Sequence, residues 1–351
     1  MKTHIRRQFL KSETQQLPQM MREEQTLLPS MNIQTLTLKA YESICLEGNV
    51  PVLGAVIHSS APNIKAKWPT VYSSLNALSE HCVEVIMSSS MPTYFNDGSL
   101  QIALTDTLLF GAIEEQCNQL EKRSYELYKQ LIKQTRQNSM PHIYRMWNEI
   151  PNINLEENGI ERYKQFCLGR SLAFADSSWE NSALPAATAV GSTDKNLNVY
   201  FLSGNVNCQQ IENPDQVSAF KYPPKYGKRS PSFARAQQIE IENKNHLLIS
   251  GTASILGHKS LHRGDALKQT QQSLLNIQTL VSKATNNDIA FPQNDSTLSL
   301  KVYIRHEHDL NLIRSIVEQH TCNSIPKIYV QADICRSELL VEIEAQIGGS
   351  T

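Results

Sequence analysis

One order of elements is written twice in this chain, and it limits the fold more than any other feature. Residues 143–199 read as a strand, a helix and a strand led by Pro185. Residues 298–343 read as a strand, a helix and a strand led by Pro326. A strand and a long helix precede each copy. In the first half Leu120, Tyr125, Leu127, Leu131 and Ile132 stripe residues 114–138 at helical spacing. In the second half Asp265 caps a helix over 266–283, striped by Leu267, Thr270, Leu274, Ile277 and Val281. Both long helices can then cover one face of a mixed sheet, which is an α+β arrangement of two modules. The boundaries expected are an arm over 1–32, a first module over 33–212, a connecting segment over 213–236 and a second module over 237–348. Residues 33–48 read as β-like, with no helix among them.

The connecting segment, NPDQVSAFKYPPKYGKRSPSFARA, holds four prolines among basic and aromatic residues. A flexible linker would be richer in Gly and Ser. The closing stretch, PKIYVQADICRSELLVEIEAQI, reads as two strands and a tight connection, a closing hairpin. Val341, Ile343, Ala345 and Ile347 share one face of its last strand, and Leu340, Glu342, Glu344 and Gln346 share the other. Two readings of that second face stand side by side. It is the wet side of a half-buried sheet, or Glu342 lies under a lid and carries a proton for chemistry.

Net charge is -1, from 33 basic and 34 acidic residues. That balance argues against a protein that works by neutralising phosphates or coating an anionic membrane. No apolar run approaches the ~18–20 residues of a membrane span. Seven scattered cysteines without a CxxC pair suit reduced thiols and a cytoplasmic setting. HIRRQFLK near the start has the look of a twin-arginine signal, but SETQQLPQMMREE after it is polar, so export is not expected. His306 and His308 lack a third ligand, and no metal is expected. GTASILG lacks the spacing of a phosphate loop. His258, His262 and Asp265 could brace a cleft.

ISGTASILGHKSLHRGDALKQTQQSLLNIQTL, LSLKVYIRHEHDLNLI and LLVEIEAQI together resemble the YjgF family of small trimeric imine deaminases. A longer combination is more specific. YRMWNEIPNIN with GIERYKQFCLGRSLAF, LPAATAVGS, the connecting segment, ISGTASILGH and ADICRSELLVEIEA are similar to the chorismatases, a family that includes chorismate-dependent 3-hydroxybenzoate synthases. The resemblance covers residues 45–348. It implies two YjgF-like modules in one chain, one active site in the cleft between them, chorismate as substrate and no cofactor.

Residue by residue, the resemblance implies the following. Arg162 and Arg170, eight apart on one helix, hold the substrate's carboxylates. Tyr222 donates a hydrogen bond to a carboxylate or ring oxygen. Glu342 protonates the enolpyruvyl methylene, for which it must be neutral and hence buried. Cys335 points to the branch that forms 3-hydroxybenzoate, whereas Ala253 has the look of the hydrolytic branch, which gives a dihydroxycyclohexadiene carboxylate. The thiol can hydrogen-bond or relay a proton, so Cys335 weighs more. A YjgF-like binding module without catalysis is the alternative from another class. An imine deaminase is a third reading, disfavoured because Lys327 stands where that family has a carboxylate-binding Arg. Two fused modules can replace contacts of a trimer, so a monomer is expected.

Overall fold

The computed structural model describes residues 31–59, 64–285, 298–322 and 324–350. The expected arm lies outside them apart from its last two residues. The chain opens with β1 (Met31–Thr37), α1 (Leu38–Glu47), β2 (Val52–Ile57), β3 (Thr70–Tyr72), β4 (Asn76–Ala77), β5 (His81–Ser88) and a hairpin of β6 (Thr93–Asp97) and β7 (Leu100–Leu104). Next come β8 (Leu108–Gln116), α2 (Leu120–Gln137), β9 (His142–Pro151), the two-residue strands β10 (Glu156–Glu157) and β11 (Ile160–Glu161), α3 (Arg162–Asp176), β12 (Ala186–Ser192) and β13 (Asn196–Gly204). The remainder is β14 (Cys208–Ile211), β15 (Ala236–Ile241), β16 (Lys244–Ala253), β17 (Ile255–Leu256), β18 (Lys259–Ser260), α4 (Ala266–Thr285), β19 (Leu298–Ile304), α5 (Leu310–His320), β20 (Lys327–Gln331), β21 (Asp333–Ile334) and β22 (Val341–Ser350). Among the described residues no helix is long and apolar enough to cross a membrane.

The duplicated order appears as duplicated topology. One seven-stranded sheet runs β21-β12-β9-β13-β8-β7-β6, and the other, read from its far end, runs β4-β20-β19-β22-β16-β15-β14. In both, the strand after the second helix lies parallel to its neighbour, β12 on β9 and β20 on β19. In both, the last strand inserts antiparallel between the first two, β13 between β8 and β9, β22 between β16 and β19. The fold is α+β, as expected. The outermost strand of each sheet comes from elsewhere in the chain: β21 pairs with β12, and β4 pairs with β20.

Three expectations change. Residues 33–212 supply two sheets rather than one, because β1-β5-β2-β3 forms a separate sheet with the same four-strand order and a single helix. Residues 38–47 are that helix, α1, begun where Thr37 Oγ1 accepts from Ala40 N at 3.3 Å and ended by Gly48. The closing stretch is not a hairpin, since β19 lies between β20 and β22.

Each sheet carries its helices on one face. Leu127, Leu131 and Phe166 cover Met146, Val199 and Phe201, while Leu274, Ile277 and Val317 cover Val302, Val341 and Ile343. The opposite faces of all three sheets meet, with Val56 and Ile86 of the first, Phe110, Trp147 and Tyr200 of the second, and Ile239 and Leu248 of the third in one core. Burial of this much aliphatic and aromatic surface stabilises by ~25 cal/mol per Å² removed from water. Charged groups sit in the same interior. Glu84 of β5, Arg145 of β9, and Lys301 and Glu344 of the third sheet are all buried, and each has an opposite charge within 3.1 Å.

Candidate active site

Where the second sheet meets the third, a cavity of about 220 Å³ opens. Its walls come from α3, β12, the connecting segment, the end of β16, and the turn leading into β22. The close approach of α3 to α2 depends on Gly169, since a Cβ there would run into the backbone carbonyl of Glu121. The next residue is Arg170, which lines the cavity.

Arg170 is 1% exposed, and its Nε and one terminal nitrogen have no hydrogen-bond partner among the described residues. Its guanidinium lies 5.0 Å from the centre of the Phe166 ring. A buried cation with donors left over is costly unless an anion joins it. Arg235 lines the same cavity, is 4% exposed, donates to Tyr222 Oη at 2.7 Å and to Val217 O at 3.1 Å, and keeps its Nε unpaired. Arg336 stacks 4.2 Å above the Tyr226 ring and donates to His258 O and Ser260 Oγ. Among the described residues none of these three arginines is within 4.0 Å of a carboxylate oxygen.

Glu342 faces them across the cavity. It stands opposite Ala253 on β16 and Tyr303 on β19, while Val341 and Ile343 beside it point into the helix-covered core. Its carboxyl presses against the backbone of β16, where a Cβ on Gly251 would fall on Glu342 Oε1. It is 4% exposed, so the wet-face reading of this strand is overturned. Burial, and then the neighbouring Glu344 anion, push its pKa up to about 8, against the opposing pull of Arg145 and Arg235. Glu342 therefore holds a proton at neutral pH.

Of the residues singled out from sequence, Arg170, Tyr222, Ala253, Cys335 and Glu342 converge on this cavity. Arg162 does not. Its Nε donates to Pro151 O at 2.7 Å and Nη1 pairs with Glu157 at 2.9 Å, so its guanidinium closes the α3 entry loop instead. Eight residues along a helix leave the two arginines about 80° apart, enough to send them to different neighbours. Tyr222 accepts from Arg235, which leaves its hydroxyl proton to donate into the cavity. The Cys335 thiol is partly buried and its pKa is raised by burial and by Glu342, so it is a neutral, weak donor. His258 braces the mouth, accepting from Tyr226 Oη at 2.7 Å through its carbonyl. Asp265 caps α4 at Lys268 N, and His306 and His308 stack on the surface, so none of these three lines the cavity.

Sequence reasoning missed Arg235, Arg336, Thr188 and Gly251. Arg235 lay in the flagged connecting segment and Arg336 beside the flagged Cys335. Only the fold brings them to one place.

The family model described as "Chorismatase FkbO/Hyg5-like, N-terminal" matches residues 84–203. A chorismatase of Streptomyces hygroscopicus is 30% identical over 313 residues, 86% of this chain and 91% of that protein. A 3-hydroxybenzoate synthase of the same organism is 37% identical over 217 residues, 58% of this chain, and the match spans only 63% of that relative. The crystal structure of a chorismatase superposes with a TM-score of 0.82 at 28% identity, covering 91% of this chain and 98% of the other.

Proposed function

The chain belongs to the chorismatase family, and on that premise we propose that it cleaves chorismate, releasing pyruvate and forming 3-hydroxybenzoate. The observation that carries this reading is a proton-bearing buried carboxyl facing three arginines that lack carboxylate partners. Chorismate is a dianion with a ring carboxylate and an enolpyruvyl ether that bears a second one. Arg170, Arg235 and Arg336 offer the guanidinium forks for the two carboxylates, and Tyr222 a further donor. Binding removes the unmet electrostatic demand of Arg170, which fixes the substrate without rearrangement of the wall.

Glu342 then delivers its proton to the enolpyruvyl methylene carbon, which becomes a methyl group. The charge develops as an oxocarbenium ion at the ether carbon, and the ionised Glu342 beside it offsets that charge. The neighbouring ring hydroxyl returns a proton to Glu342 as its oxygen attacks the ether-bearing ring carbon and breaks the bond from that carbon to the ether oxygen, so pyruvate leaves as the ketone. The arene-oxide-like ring then opens, its oxygen gains a proton and the ring carbon loses one as it aromatises. No water enters the balance, since chorismate equals 3-hydroxybenzoate plus pyruvate. Cys335, a neutral thiol on the cavity wall, supports this outcome because it can pass a proton during aromatisation.

The second reading is hydrolysis to 3,4-dihydroxycyclohexa-1,5-diene carboxylate plus pyruvate. Ala253 directly opposite Glu342 favours it, because a small wall there leaves space for water. Chromatography of the product after incubation with chorismate separates the two. The aromatic acid is expected, and the diene diol alone would overturn the assignment. Pyruvate, followed through lactate dehydrogenase, tests the acid: Glu342→Gln is expected to fold and lose ~10²–10⁴-fold in turnover. We also propose that one chain is the working unit. All three sheets bury their inner faces within it, and light scattering at the mass of a monomer is expected.

A further inference from the structure

Two carboxyls, Glu342 and Glu344, sit two residues apart on the same face of β22, and their surroundings differ in kind. Glu344 is ringed by donors. Thr188 Oγ1 reaches it at 2.6 Å, Arg145 at 2.7 Å, Trp147 Nε1 and Tyr303 Oη at 2.9 Å, and Lys301 Nζ at 3.1 Å. A carboxylate has about four lone-pair sites, so these fill it. Three of these partners, Arg145, Lys301 and Trp147 Nε1, can only donate, so they favour the ionised carboxylate over a protonated Glu344. Glu342 has the reverse situation, since among the described residues no donor reaches its carboxyl. The Thr188 hydroxyl also accepts from Gly251 N at 2.9 Å, which ties the Glu344 cluster to the strand that Glu342 leans on.

We propose that Glu344 is a positioning residue: donors from two sheets lock it as an anion, and that fixed charge keeps the catalytic proton on Glu342. The proposal rests on the reading of Glu342 as the acid. The groups facing Glu342 are Glu344 on its own strand, Tyr303 on β19, Arg145 on β9, Arg170 on α3, Arg235 in the connecting segment, and Cys335 and Arg336 in the turn before β22. The arginines favour the ionised acid, and Glu344 is the anion among these groups that opposes them. Lys301 divides its ammonium between Glu344 and Glu84 of the first sheet.

The test is the alkaline limb of the pH–rate profile. Glu344→Gln removes the neighbouring charge, so Glu342 loses its proton more readily and the limb moves to lower pH. The shift expected is about one unit or more, a drop of about fivefold or more in relative rate at the wild-type midpoint. Because this variant strands Arg145 and Lys301, Glu344→Gln/Lys301→Met is made beside it, with Glu84 retaining His58. It should show the same direction of shift. Infrared titration of the wild type gives a readout independent of these variants. One protonated buried carboxyl is expected at neutral pH, absent in Glu342→Gln. An unmoved limb in a folded variant, or a protonated carboxyl that persists in Glu342→Gln and is lost with Glu344, overturns the role of Glu344. Full turnover by Glu342→Gln instead overturns the acid itself.

Discussion

A carboxyl that keeps its proton at neutral pH leaves two signatures at the level of single residues. Turnover should hold steady at low pH and fall as pH rises through about 8, where Glu342 ionises. Stability should carry the same mark. The folded protein holds this proton up to about 8, whereas the unfolded chain releases it near 4.5, so folding is favoured most below 4.5 and loses ground between those values. The loss amounts to about 4 kcal/mol on this interval. Glu342→Gln is therefore expected to unfold at a higher temperature than wild type at pH 8.5, with the gap closing near pH 5, as calorimetry would register. A variant that gains stability while losing activity marks a group held in place for chemistry. Arg170 predicts the opposite pairing. Arg170→Lys keeps charge but loses the planar fork, and KM for chorismate should rise roughly tenfold or more while the fold stands. An unchanged KM would remove Arg170 from substrate binding.

Among elements, β16 and β22 pair antiparallel, and Gly251 sets how closely the Glu342 carboxyl lies on β16. Gly251→Ala places a methyl on the Glu342 carboxyl. Activity should fall at least tenfold through displacement of the acid, with a melting temperature lowered only modestly, whereas an active variant would show that β22 tolerates a shift. The alternation that placed Glu342 on one face of its strand was readable before any coordinates, because a period of two needs no knowledge of neighbours. So were the helical stripes of α2 and α4, apart from Leu267, which lies exposed at the start of α4. Strand order was not. Residues 327–331 and 341–350 are adjacent in sequence, yet β19 separates them, and nothing local specifies which strand inserts. α1 was misread although Thr37 and Gly48 bracket it, because Ile33, Leu36 and Leu38 dominated the pattern and hid the cap. Arg162 was misassigned for a related reason: helical spacing gives an angle on a cylinder, and Glu157 in the preceding loop captured the guanidinium.

For the molecule as a whole, the unusual feature is a buried charge network that joins all three sheets. Lys301 bridges Glu84 and Glu344 at 2.7 and 3.1 Å, and His58 adds a contact to Glu84 at 2.8 Å. Removing one member strands the rest in a dry interior. Lys301→Met is expected to destabilise by about 3–5 kcal/mol, measurable by denaturant unfolding, and a neutral result would mean water already reaches the cluster. Lys301 and His58 hold Glu84 well below the usual carboxylate range despite its burial. Its contribution is present above about pH 4.5 and disappears as pH falls further, so acid unfolding should start at this junction. The pocket lies between the second and third sheets, yet the first, which lines none of it, anchors the lysine through Glu84. The exchanged edge strands extend that dependence. With β4 from residues 76–77 completing the sheet of the C-terminal half, and β21 from residues 333–334 completing that of the middle, each half wears a piece of the other. Severing the polypeptide between residues 212 and 213 would thus yield not two autonomous bodies but complementary fragments, each with a vacant berth that only its counterpart fits.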